Sequence, residues 1–166
     1  MESIAIRGHV DTFLVSPENV STQVLEGNNT VSYACADAAA RLFAGRDGRP
    51  RTVAFVYAES SGLESSFNFT AGERDKTQDD IVGSDLSVAD VAIDPNPSLS
   101  QSEAGKYVGN VVTFRAVTTE NSAPVYVYGY LLKDGEGRVL AVRKLAPAVS
   151  KPAGYALAVS WAITFL

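Results

Sequence analysis

His9 is the only histidine of the chain, so any histidine-based triad or histidine-rich metal site has to be built around it. It lies beside Gly8 in the least regular part of the sequence, with no second histidine or cysteine cluster to assist it. Cys35 is the single cysteine, and its place on an apolar helical stripe makes it a small core residue rather than a nucleophile. Glu59 and Glu64 flank Ser60-Ser61-Gly62-Leu63 after a strand-like run and are the one carboxylate pair to inspect for acid and base work, but they read first as a solvated loop. Asp75, Asp79, Asp80 and Asp85 could offer oxygen ligands to Ca2+, but their spacing matches no EF-hand and reads as a solvated, acidic loop. Tyr126, Tyr128 and Tyr130 in VYVYGY could stack nucleobases, yet no basic groove accompanies them, and cross-strand aromatic packing explains them. The sequence contains no GxxxxGK[ST], GxGxxG after a strand, GxSxG or HExxH. These residues therefore assign no catalytic, no cofactor-binding and no metal-ligating position, and the chain reads as a non-enzyme.

The elements that would hold such residues follow from composition and period. With 166 residues, 46% hydrophobic and 20% charged, the chain has the make-up of one folded domain with a real core. A net charge of −5 argues against nucleic acid as a partner. One cysteine cannot make an internal disulfide, and no apolar run approaches a membrane span or a signal peptide, so synthesis and folding in a cytoplasm are expected. Residues 1–27 hold short alternating pieces (Ile4 and Ile6, Phe13 and Val15) interrupted by Pro17, and read as an extended N-terminal arm or an edge strand. Residues 28–166 read as one β-rich domain.

Within that domain the spacing of Val31, Ala34, Cys35, Ala38, Leu42 and Phe43 predicts a helix over about 29–45 with a single buried stripe. Asn28, Asn29 or Thr30 would cap its start, Arg41 suits its negative end, and Gly45 supplies the left-handed stop. RTVAFVYAE, residues 51–59, is β-prone on both faces and predicts a covered, central strand against which the helix lies. Residues 71–105 carry eight acidic and two basic side chains and predict an acidic loop around a short strand near 86–93. Beyond Gly105 three β-prone runs follow. In the second, Val125, Val127, Gly129 and Leu131 alternate with Tyr126, Tyr128, Tyr130 and Leu132, and Lys133 to Arg138 form a hairpin turn with two glycines free to take positive φ. In the last, Tyr155, Leu157, Val159, Trp161, Ile163 and Phe165 face a core, while Ala156, Ala158, Ser160, Ala162 and Thr164 face either the alanine-rich helix or a neighbouring subunit. The fold class expected is mainly β with one α-helix (α+β): an antiparallel β-sandwich, jelly-roll-like or β-tadpole-like, in a single domain.

VYVYGYLLKDGEGRVLAVRKL, residues 125–145, followed by AGYALAVSWAITF resembles the C-terminal hairpin and last strand of small virion proteins of tailed bacteriophages. There an aromatic-rich strand, a Gly-Tyr pair, a D-G-x-G turn and an alternating terminal strand build a jelly-roll-like or tadpole-like sheet. The resemblance covers about the last forty residues and carries over no site residue. It implies a virion structural protein, first a capsid decoration or cement protein that contacts the major capsid protein or other virion proteins and forms a homo-oligomer, with a trimer the first expectation. A tail, fibre or receptor-binding component is the alternative, and a small hydrolase working through loop carboxylates is a second. The N-terminal arm, on this reading, adds a strand to an exposed edge of a shell protein.

Overall fold

The first and last strands of this chain are neighbours. In the computed structural model, which describes residues 6–100, 111–118 and 123–165, β1 (Ile6–Val15) and β9 (Ala156–Phe165) run antiparallel along their whole length, from Ile6 opposite Phe165 to Val15 opposite Ala156. Between them come β2 (Ser21–Val31), α1 (Tyr33–Phe43), β3 (Pro50–Ala58), α2 (Gln78–Ile81), β4 (Ser87–Ala92), β5 (Ser98–Ser100), β6 (Val111–Val117), β7 (Val125–Asp134) and β8 (Val139–Lys151). Among the described residues nine strands form one curled antiparallel sheet in the order β4-β3-β7-β8-β2-β1-β9-β6-β5. The curl brings its two ends together, and the Asp94 amide, just past β4, donates to the Arg115 carbonyl of β6 at 2.9 Å. The protein is thus mainly β with one long helix.

The core lies inside the curl. Val10, Phe114, Leu157, Val159, Trp161 and Ile163 meet Val53, Phe55, Val127, Tyr130, Leu132 and Leu140 across it. Phe55 and Tyr130 pack edge to face with centroids 5.4 Å apart, and Tyr130 and Trp161 do so at 6.5 Å. The Tyr130 hydroxyl, buried with them, pairs with Thr12 Oγ1 at 3.0 Å. A second apolar layer covers the other face of β3, β7 and β8, where Phe67, Phe69, Ile81 and Leu86 sit on Ala54, Val56, Tyr128 and Leu131. The acidic stretch is therefore anchored through Ile81 and Leu86, and β4 is the short strand expected within it; residues 101–105 of that stretch lie outside the described residues. α2 begins with a reciprocal cap, Thr77 and Asp80 each bonding the other's backbone amide.

Several expectations change. Residues 6–15 are no arm or edge strand: β1 is held between β2 and β9, because the turn at Ser16–Val20 folds the interrupted pieces into a hairpin and Pro17 falls in the turn. The helix starts at Tyr33, not near 29, because Asn29, Thr30 and Val31 still belong to β2. Ser32 is its N-cap residue, and the Ser32 hydroxyl donates to the Val139 and Leu140 carbonyls (2.6 and 2.9 Å) and so ties the helix start to β8. Among the expected stripe only Cys35 and Ala38 are buried, and Phe43 is 98% exposed. Arg41 and Gly45, with φ of 76°, sit at the helix end as expected.

The alternation of β7 flips in mid-strand. Tyr128 is an extra residue that neither β3 nor β8 pairs with, so Tyr130 and Leu132 join Val127 inside the curl, while Leu131 joins Tyr128 outside. In β9 the large side chains Leu157, Val159, Trp161 and Ile163 are buried inside as expected, with Tyr155 and Phe165 half-buried. Its small face does not meet the helix: α1 packs with the inner cluster, and the small face looks outward beside β1 and β6.

Candidate functional site

Two surfaces combine shape with chemistry. The first is a cavity of about 550 Å3 at one open end of the curl, lined by Cys35, Ala38 and Leu42 of α1 together with Phe114, Ile163 and Phe165. Arg49, Arg51 and Asp94 supply its charged groups. Both arginines are drawn to Asp47: Arg51 Nη2 to its Oδ2 at 2.7 Å, and Arg49 Nε to its Oδ1 at 3.6 Å. The side-chain bond from Arg51 and the backbone bond from Arg49 hold the Asp47 carboxyl below its ordinary range. Leu42 and the fully exposed Phe43 end the helix that forms one wall. The helix is fixed there by ion pairs to the β7–β8 turn, Arg138 Nη1 to Asp37 Oδ2 at 2.6 Å and Arg41 Nη1 to Glu136 Oε1 at 3.5 Å.

The second is the outer face of β2, β1, β9 and β6. Register places Asn28 opposite His9, and Glu26 opposite Asp11, across the β1–β2 hairpin. On the other side His9 faces Ala162 and Asp11 faces Ser160 of β9. His9 Nε2 lies 3.3 Å from Asp11 Oδ1 and 3.9 Å from Glu26 Oε2, and His9 Nδ1 lies 3.3 Å from Asn28 Oδ1. Gln23 Nε2 donates to Asp11 Oδ1 at 3.3 Å. This grouping was not visible in the sequence. A His-x-Asp on one face of a strand was the available signal, but Glu26 joins it only through the hairpin register, and the first 27 residues do not announce a hairpin.

The other residues considered at the outset stay apart. Cys35 is buried, and burial pushes its thiol up to about 11, so it offers no thiolate near neutral pH. Glu64 begins a 3-10 turn, Glu64–Ser66, where its Oε1 accepts from the Ala148 amide at 3.5 Å; neither it nor Glu59 lines this cavity. Among the described residues Asp94 is the one carboxylate that lines the cavity, and no second acid of the kind a carboxylate-based hydrolase needs stands beside it there. Among the described residues Asp75, Asp79, Asp80 and Asp85 do not converge: Asp80 is used in the α2 cap and Asp85 faces Ser66 Oγ at 3.4 Å. Tyr128 and Tyr130 are fully buried and present no stacking platform. No helix among the described residues is long and apolar enough to cross a membrane.

Compared with family models, with curated proteins and with solved structures, the chain has no match.

Proposed function

We propose that the protein is a non-enzymatic virion structural subunit, a decoration or cement protein that stabilises the head of a tailed bacteriophage through contacts with the major capsid protein and with copies of itself. A trimer is the oligomer to look for first. The finer description of the sheet belongs to the same proposal: β2, β1, β9 and β6 face β3, β7 and β8 in the manner of a jelly-roll-like sandwich.

The observation that carries the reading is the end of α1. A phenylalanine 98% exposed, preceded by an exposed leucine at the wall of an apolar cavity, sits on a helix pinned by Asp37, Arg41 and Ser32. An aromatic at the end of a pinned helix with no cover among the described residues is what an anchor residue of a protein interface looks like before its partner arrives. The small side chains of Ala162 and Ser160 on the outer face support close approach of another subunit as well.

The experiment is co-sedimentation of the purified protein with shells assembled from its major capsid protein, for wild type and Phe43→Ser. Wild type should pellet with the shells. Phe43→Ser should bind at least about tenfold more weakly, the loss of an interface anchor, while melting at the same temperature. Wild-type protein that stays in the supernatant with intact shells would remove the capsid reading.

A tail, fibre or receptor-binding role is the second reading, supported by the cavity itself, where Phe114 and Phe165 lie with Arg49, Arg51 and Asp94. Binding of glycans or host envelope fractions, lost on Arg51→Ala, would favour it over the first.

A further inference from the structure

We propose that His9, Asp11 and Glu26 form a binding site for a first-row divalent cation, with Zn2+ the preferred ion, on the outer face of the β1–β2 hairpin. The inference does not depend on the virion reading. One imidazole nitrogen and two carboxylate oxygens from three residues all lie within 4.8 Å of one another. Bonds of about 2.0–2.1 Å to a tetrahedral ion require donor atoms separated by about 3.3 Å. His9 Nε2 and Asp11 Oδ1 stand at 3.3 Å, and Glu26 Oε2, on an exposed side chain, stands at 3.9 Å from the same nitrogen.

The ring is also oriented for the task. His9 Nδ1 lies 3.3 Å from Asn28 Oδ1, which holds the ring with Nε2 toward the two carboxylates. Nε2 lies within hydrogen-bonding distance of Asp11 Oδ1 (3.3 Å), so a cation bound there would take the place of a proton shared between the imidazole and the carboxylates. Gln23 Nε2 holds Asp11 Oδ1 from outside the group as Asn28 holds the ring. On the side toward β9 the register partners of His9 and Asp11 are the small residues Ala162 and Ser160. Mixed nitrogen and carboxylate donors favour Zn2+ over Ca2+ or Mg2+, which seek six or more oxygens.

The test is calorimetric titration of tag-free, chelator-treated protein with ZnCl2, and separately with CaCl2, paired with thermal melts. Wild type is expected to take up one Zn2+ per chain and to melt higher with it, with no response to Ca2+. His9→Ala and Glu26→Gln, both surface changes that leave the melt of the metal-free protein in place, are each expected to weaken Zn2+ binding by about 100-fold. Asn28→Ala is expected to weaken it by about tenfold, the effect of removing an outer hydrogen-bond partner. No binding at about 100 μM Zn2+ overturns the site. So does binding that survives either His9→Ala or Glu26→Gln unchanged, or binding of Ca2+ as tight as that of Zn2+.

Discussion

Asp134 is a carboxylate whose side chain is 3% exposed, at the end of β7. Burial alone would raise its pKa. Hydrogen bonds from the Arg138 amide (2.9 Å), the Arg138 guanidinium (2.8 Å) and the Glu136 amide (3.0 Å) together outweigh burial and hold the carboxyl below its ordinary range. A group whose folded-state pKa is depressed stabilises the fold above its unfolded pKa of about 3.9 and stops doing so as the pH falls through the folded value. Asp134→Asn should therefore cost about 2–3 kcal/mol near neutral pH, the loss of charge-assisted hydrogen bonds in a buried place. Urea midpoints measured from pH 7 downward should show a constant gap between wild type and variant above about pH 5 that narrows below about pH 4. A gap that widens in acid would mean the carboxylate is not the group that matters. The D-G-x-G turn was legible in the sequence, since aspartate and glycine between two β-prone runs have few other uses. That Gly137 takes the positive φ (81°) and Gly135 does not was not legible. The carboxylate of Asp134 reaching over two amides fixes that choice, and it depends on side-chain placement rather than on residue type.

At the scale of elements, β7 shows why a period is a weaker guide than it looks. Its residues are apolar or aromatic at nearly every position, so the sequence could say that both faces are covered but not where the alternation breaks. The break falls at Tyr128, whose hydroxyl donates to the Ser60 carbonyl (2.5 Å) and accepts from the Leu63 amide (3.2 Å), tying the strand to the segment that covers its outer face. Gly129 follows, and its missing side chain admits the ring of Phe67: a Cβ there would stand 2.5 Å from both Phe67 Cε2 and the Arg143 carbonyl. Gly129→Ala should accordingly destabilise by about 2–3 kcal/mol through overpacking, since one obstacle is backbone and the other is a ring that is itself fully buried. Chemical denaturation would read it. A double variant, Gly129→Ala with Phe67→Leu, should recover part of the loss, and no recovery would place the strain against the Arg143 carbonyl alone. The helix was legible for a related reason and misread for another. Spacing says which side chains share a face, and Cys35 and Ala38 do share the buried one. It cannot say how far the wall beneath that face extends, and here it ends before Leu42 and Phe43.

On the scale of the molecule, the topology is the part that local patterns could not show. The alternation of β9 predicted a sealed strand, but nothing in it names β1 and β6 as its partners. Pairing of the first strand with the last is a contact between chain ends, and it converts what looked like a free arm into the strand that joins β2 to β9. Removing residues 1–16 should then abolish cooperative unfolding, because it would strip both neighbours of a full-length partner. The same pairing predicts tolerance of the opposite operation. Ile6 and Phe165 are register partners, so a short glycine-serine linker can join the ends, and the chain can be reopened in the exposed turn at residues 16–20. In that circular permutant β9 and β1 become a local hairpin, while β2 leads into α1 as before. The end-to-end pairing of β1 with β9 becomes local, and that of β1 with β2, local in the native chain, becomes end-to-end in its place, so the contact order changes little and the permutant should keep a stability within about 1–2 kcal/mol of the parent. Urea unfolding of both forms decides the point: a permutant that unfolds without a cooperative transition would mean that β1 and β9 do not pair as the sheet order requires.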